Sequence, residues 1–388
     1  NAGANAYNIG IGYNAGGALT TGTQNTVVGG LALDAATTGA AQTAIGYAAL
    51  TSDTKGQNST AVGHNALSAQ NFTTVTNTYN TAVGSQAGVA VTVGEGNTLI
   101  GGLAGDALTD ADFNVAVGKN ALSSDTLGSF STALGINCLE NQNFTTATQT
   151  YNTAVGALAG GANTTGNDNT FLGGKAGKSN TTGQFNTFIG TDAGEALTEG
   201  NYNVAIGRGT LEQDTKGSKT VAVGQGALNA QNFTTATDSL NTAVGYDAGV
   251  SVTTGRQNTI VGSNAGDAIT DGSANSCFGM EAGSNITGGS NIMCLGHDSG
   301  LTGSPGGNIT TASNTMVLGD ENISAAHIQV ALTVASDERD KTDFADLDLG
   351  LDFVKSLEPV TYYWDKRSKY GDKTAVDYDL DAQTPDGT

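Results

Sequence analysis

Proline, cysteine and positive charge are all scarce in this chain, and each scarcity closes off a class of protein. With 3 Pro among 388 residues, collagen and proline-rich disorder are excluded. The 3 Cys (Cys138, Cys277 and Cys294) form an odd, sparse set that builds no disulfide framework. Lys and Arg number 15 against 36 Asp and Glu, giving a net charge of −21. Such a chain is repelled by nucleic acid and by anionic membranes, so neither is an expected partner. The surplus of negative charge suits the solubility of a long, exposed object. No apolar run approaches the roughly 20 residues that span a bilayer, so membrane insertion is not expected. Charged residues make up only 13% of the chain, about half the share of an ordinary soluble domain. The first residue is Asn1 rather than Met, so the natural amino terminus, with any signal or anchor, is expected upstream.

Glycine is abundant instead. It supplies 57 of 388 residues, roughly twice its usual share, alongside Ala, Thr and Asn. These residues fall into a repeat. Asn80 to Gly88 reads Asn-Thr-Ala-Val-Gly-x-x-Ala-Gly, and close copies run over 152–160, 241–249 and 258–266. The Gly that closes each Ala-Val-Gly serves as an anchor: Gly12, Gly29, Gly46, Gly63, Gly84, Gly101, and onward to Gly296 and Gly319. Most anchors lie 17 residues apart; three steps, ending at Gly84, Gly156 and Gly245, are 21, and the last is 23.

A unit with one short β-branched run and two Gly turns cannot bury its own apolar side, so the units must stack. Gly and Thr are poor helix formers and no unit shows the 3.6-residue period. The expected fold is all-β: a parallel β-solenoid or β-roll of about 17-residue coils, its strands about 4.8 Å apart along a rod of about 80 Å. Immediately before each anchor stands a large apolar residue (Val62, Val83, Ile100, Val117, Leu134, Val155, Leu172, Ile189), read as a ladder pointing into the core. Three after it, Ala66, Ala87, Ala104, Ala121 and Ala159 mark close packing. The anchor needs positive φ or close approach, and the Asn before each strand suits a turn and a stacked side-chain ladder. Cys277 and Cys294 fall in neighbouring coils, about one strand spacing apart. A disulfide is within reach there, but two buried thiols are the preferred reading. The core is so thin that three copies are expected to pack around a common axis.

The three long steps share an insertion, Gln-Asn-Phe-Thr-Thr at 70–74, 142–146 and 231–235. In the coil carrying each insertion, and in the coil before it, Leu replaces Gly four after the anchor (Leu50 and Leu67, Leu122 and Leu139, Leu211 and Leu228). Either the insertions offer Phe and Thr to a receptor or glycan, or they are structural bulges whose Phe covers the Leu patch. The second reading is preferred, although any recognition by the rod is expected at these insertions.

The array contains no catalytic constellation: His64 and His297 are isolated, and Asn167-Asp168-Asn169 lacks an ordered cation-ligand set. No cofactor and no metal are expected. After Gly296 come a breaker cluster, 303–307, and two runs read as neck strands, 314–319 and 323–334. Beyond Ser336, Asp, Lys, Leu and aromatics take over. Residues 346–357 place Leu347, Leu351 and Val354 on one helical face, and 359–364 read as an aromatic strand, together a small α+β domain. The organisation is therefore a β-roll shaft (1–300), a neck (301–335) and a compact domain (336–388).

The residues Ser336-Asp337-x-Arg339-x-Lys341, followed by Gly350-Leu351, Val354, Leu357, Pro359 and Tyr362 to Trp364, resemble the opening of the endosialidase-type intramolecular chaperone. That family sits at the carboxyl end of phage tail fibres and tailspikes. The resemblance implies a trimeric chaperone that folds the preceding shaft and then cuts itself off. Its Ser-Lys dyad maps onto Ser336 and Lys341, with the scissile bond beside Ser336. The family's later segments are not recognisable before Thr388, so the chaperone is expected to be partial or retained uncut. The rod is similar to the head repeats of trimeric autotransporter adhesins, and to phage fibre shafts. The expectation is a structural and adhesive protein: the distal shaft of a homotrimeric viral tail fibre on the virion. Its partners would be a host receptor or glycan and other tail or fibre proteins, and its only enzymatic activity self-cleavage. A bacterial trimeric surface adhesin is the alternative. A polysaccharide-degrading tailspike is less favoured because no carboxylate pair recurs in the repeats.

Overall fold

In the computed structural model the described residues are 6–327. The chain divides into two units, Asn1–Ala325 and Ala326–Thr388, and the first is a parallel β-solenoid. Every coil contributes one short strand, beginning with Ile9–Ile11, Thr26–Val28 and Thr43–Ile45 and ending with Thr315–Leu318. These pair in parallel and in register into an 18-stranded sheet; Thr81–Val83, for example, faces Thr98–Ile100 residue for residue. The coils with insertions add three two-stranded sheets, such as Gly128–Ser129 against Thr148–Gln149. No helix occurs among the described residues.

The anchor glycines behave as expected. Gly101 has φ +136°, and a Cβ there would lie 2.5 Å from the carbonyl oxygen of Gly118. The backbone demands both a left-handed conformation and close approach, which only Gly supplies. The Ala column three after the anchor is buried from Ala32 onward.

The apolar ladder is the correction. Val83, Ile100, Leu134 and Leu172, expected inside, are 37%, 38%, 43% and 44% exposed. The residue one position earlier fills the interior instead: Ala82, Leu99, Ala133 and Phe171 are buried. Side chains alternate across a strand, so a one-residue shift exchanges inside for outside. Both positions are apolar here, and size pointed to the wrong one.

The interior also carries a polar ladder. Asn97 donates through Nδ2 to the carbonyl of Ala111 (2.7 Å), and its Oδ1 accepts the N–H of Asn114 (3.0 Å). Asn114 repeats the pattern toward Gly128 and Ser131. Each Asn therefore caps the backbone of the coil above, which keeps a buried amide column satisfied. A second ladder uses Thr: Thr181 Oγ1 donates to the Thr198 carbonyl and Thr198 Oγ1 to that of Thr215.

Cys277 and Cys294 pair in register, and both thiols are free and buried. The neighbouring Cys294 and burial push the Cys277 thiol well above its ordinary range. Burial pushes Cys138 up to about 12. Thr315–Leu318 is a strand as read, whereas 323–327 carry no regular structure. The rest of the proposed neck strand, 328–334, the helix at 346–357 and the aromatic strand at 359–364 lie outside the described residues.

Candidate assembly face

The displaced apolar ladder defines the most distinctive surface of the molecule. Each strand turns two side chains outward: the residue before the anchor and the one two positions earlier. The first column is Val, Ile, Leu or Phe throughout, and the second is mostly Thr with Val115, Val204 and Val221. Across all 18 strands the sequences read Thr-Ala-Val, Thr-Leu-Ile, Thr-Phe-Leu and their like, without one charged residue. Parallel in-register pairing stacks Val83, Ile100, Val117, Leu134, Val155 and Leu172 directly above one another. At about 4.8 Å per strand the stripe extends for roughly 80 Å. Apolar patches on monomeric proteins seldom exceed about 300–600 Å². An uncharged face of this length on a chain of net charge −21 is the candidate surface for packing against another molecule.

The insertions present a different picture. Phe72, Phe144 and Phe233 are only 6%, 7% and 6% exposed, so the aromatic side chains are not offered to a receptor. Each is clamped around a buried carboxylate. Asp125 Oδ1 accepts the N–H of Gly128 (3.1 Å) and of Phe144 (2.9 Å), and its Oδ2 accepts Gln142 Nε2 (2.6 Å). Asp53 and Asp214 repeat the arrangement with Gln70 and Gln231. At Asp214, burial outweighs these donors and holds the carboxyl above its ordinary range. The structural-bulge reading therefore stands. What remains exposed at the insertions is mostly polar or small, such as Thr145 and Thr146, with Val75 beside the first as an apolar exception.

Exposed aromatics occur elsewhere, at the left-handed residue that enters each strand. Phe113, Phe130 and Tyr151 stack in succession (centroids 5.3 and 5.7 Å), as do Phe185 and Tyr202 (4.9 Å). Their signal in the sequence is a column five before the anchor, which a search for the repeat alone passes over. A shallow polar recess of about 220 Å³ opens where Gly209 and Gly226 remove two side chains, among Asp192, Arg208, Glu212 and Asp247.

Ser336 and Lys341, the expected dyad, lie outside the described residues. Residues 336–380 match the model of the chaperone of endosialidase family. No curated protein and no solved structure matches the chain. The match and the β-solenoid together fit a fibre shaft followed by a C-terminal chaperone domain. Among the described residues no helix is long and apolar enough to cross a membrane.

Proposed function

We propose that this chain is the shaft of a homotrimeric viral tail fibre that takes part in host attachment on the virion. Three copies pack through the uncharged sheet face, and the segment from Ser336 assists their folding. The observation that carries this reading is the charge-free stripe running the length of the solenoid, next to a segment matching a chaperone of fibre proteins. Burying such a stripe contributes about 25 cal/mol per Å² of apolar area, and in a trimer every copy gains on both flanks. Receptor contact falls to the exposed aromatic stacks rather than to the buried insertion phenylalanines.

The chaperone segment would cut the chain beside Ser336. Lys341 in its neutral form takes the Ser336 hydroxyl proton as the Oγ attacks the carbonyl of the adjacent peptide bond. That C–N bond breaks as the protonated Lys341 returns the proton to the departing nitrogen, and water then hydrolyses the ester to a carboxylate and the free Ser336 hydroxyl. Light scattering on the purified protein tests the assembly. A trimer that dissociates on Leu134→Asp with Leu172→Asp is expected, and a monomeric parent sinks the reading. Expression from the intact gene, followed on a denaturing gel, tests the cut. Cleavage is expected in the parent and not in Ser336→Ala or Lys341→Ala; an uncut parent rules the dyad out.

A further inference from the structure

The last described step of the solenoid is its longest. It runs 23 residues from Gly296 to Gly319 and contains the breaker cluster Gly303-Ser304-Pro305-Gly306-Gly307. The strands on either side nevertheless stay in register, with Leu295 opposite Leu318. The turns that follow them are therefore stacked, and this brings together residues far apart in sequence. His297 Nδ1 lies 3.1 Å from Asp298 Oδ2 and 3.7 Å from Asp320 Oδ2. One ligand atom from each of the three lies within 4.8 Å of the other two.

We infer that His297, Asp298 and Asp320 form a binding site for a first-row divalent cation that ties the final coil to the one before it. Donor atoms about 2.1 Å from such an ion sit roughly 3.0–3.5 Å from one another, close to the 3.1 and 3.7 Å that separate His297 Nδ1 from the two carboxylates. Asp320 is held in place from its own turn: Asn322 donates its backbone N–H to Oδ1 (2.9 Å) and its side-chain amide to Oδ2 (3.1 Å). Those bonds orient the carboxylate as the outer partners of metal ligands commonly do. Asp298 Oδ1 is buried without a hydrogen-bond partner, and a second carboxylate oxygen in that condition costs free energy unless a cation compensates it. No Lys or Arg forms an ion pair with either carboxylate among the described residues. The imidazole is 54% exposed on its side chain, free to turn its lone pair to an arriving ion.

One nitrogen and two carboxylate oxygens suit Mn²⁺, Fe²⁺, Co²⁺ or Zn²⁺ better than Ca²⁺ or Mg²⁺, which favour oxygen-only sets. The benefit is local. A repeat array is weakest at its ends; among the described residues this coil is the last of the array, and it also closes the longest loop. The same column provides an internal contrast: His64 occupies the position of His297 in its own coil, but its counterparts there are Asn65 and Ser85, with no carboxylate.

Titration of the full chain with Co²⁺, read by visible absorption and calorimetry, tests the site. The expected result is binding of a single Co²⁺ per chain with no thiolate charge-transfer band, and slower amide exchange across Thr315–Leu318. His297→Gln, on an exposed side chain that folding does not need, is expected to weaken binding by about tenfold or more, as is Asp320→Asn. His64→Gln should leave it unchanged. Absence of Co²⁺ binding, or binding that neither His297→Gln nor Asp320→Asn weakens, overturns the proposal. So does a thiolate band, which would move the ion to Cys277 and Cys294.

Discussion

The coil closed by Gly173 and the pair of coils closed by Gly118 and Gly135 fill the same interior from opposite sides. In the first, Phe171 reaches inward from the strand, and its ring occupies the space over Gly160 and Gly177; a Cβ on Gly160 would lie 2.6 Å from that ring. In the pair, the strand contributes only Ala116 and Ala133, and Leu122 and Leu139 fill the gap from the turn four residues after the anchor. Those leucines hold φ of 53° and 48°, a left-handed conformation costing about 1–2 kcal/mol for a residue with a side chain. Burying the Leu contributes about 1.5–3 kcal/mol, so packing wins over backbone strain. The filling moves from the strand to the turn. The pair then uses the same corner for the Asp125–Gln142 clamp that accommodates four extra residues; beside Phe171 that corner holds a plainer polar pair, Asn180 Nδ2 donating to Asn163 Oδ1 (2.8 Å).

The sharpest way to break this complementarity is at Phe171. Replacing it by Ala should cost about 3–5 kcal/mol in denaturant unfolding, while Gly177→Leu alone should cost about 1–3 kcal/mol by overpacking against the ring. The double variant Phe171→Ala with Gly177→Leu recreates the Ala116/Leu122 arrangement. It should be more stable than Phe171→Ala alone, and additive losses would show that the two fillings are not interchangeable. Next in size is Asp125→Ala, which strands the N–H groups of Gly128 and Phe144 and the amide of Gln142. We expect a loss of about 2–5 kcal/mol and faster amide exchange confined to the insertion.

Acid titration sharpens the same contrast more gently. The Asp214 carboxyl is raised by burial, so the folded chain holds its proton more tightly than the unfolded one. Its contribution to stability is therefore greatest in acid and falls as pH rises from the ordinary carboxylate value to the raised one. Asp214→Asn should abolish that fall, giving a flatter stability–pH curve across the same window. An unchanged slope would mean that the clamp holds the carboxyl at its ordinary pKa. The smallest effect is expected from Thr145→Ala, an exposed insertion residue, at about 0.5 kcal/mol or less in the same unfolding assay.

Much of this was readable from the chain alone. The period, the anchors, the Ala column and the parallel stacking follow from Gly84, Ala87 and their equivalents, because each needs a backbone or packing condition only one residue type meets. The bulge at Phe144 was legible as one of two readings; the Asp125 clamp that decides between them was not, since 17 residues separate Asp125 from Gln142. The outward apolar column was misassigned to the core.

The reason is general to this kind of strand. In Thr-Leu-Ile at 98–100 both Leu99 and Ile100 are large and apolar, and alternation says only that they face opposite ways. By itself the sequence determined that a coil of about 17 residues repeats, where it turns, and that its strands stack in register. Only the closing of the coil in three dimensions decided which face looks inward. It turned Ile100 and its column out onto an uncharged surface, and it set Asp320 beside His297 across a 23-residue step. Spacing along the chain specifies local conformation, whereas inside, outside and juxtaposition depend on how each coil meets its neighbours.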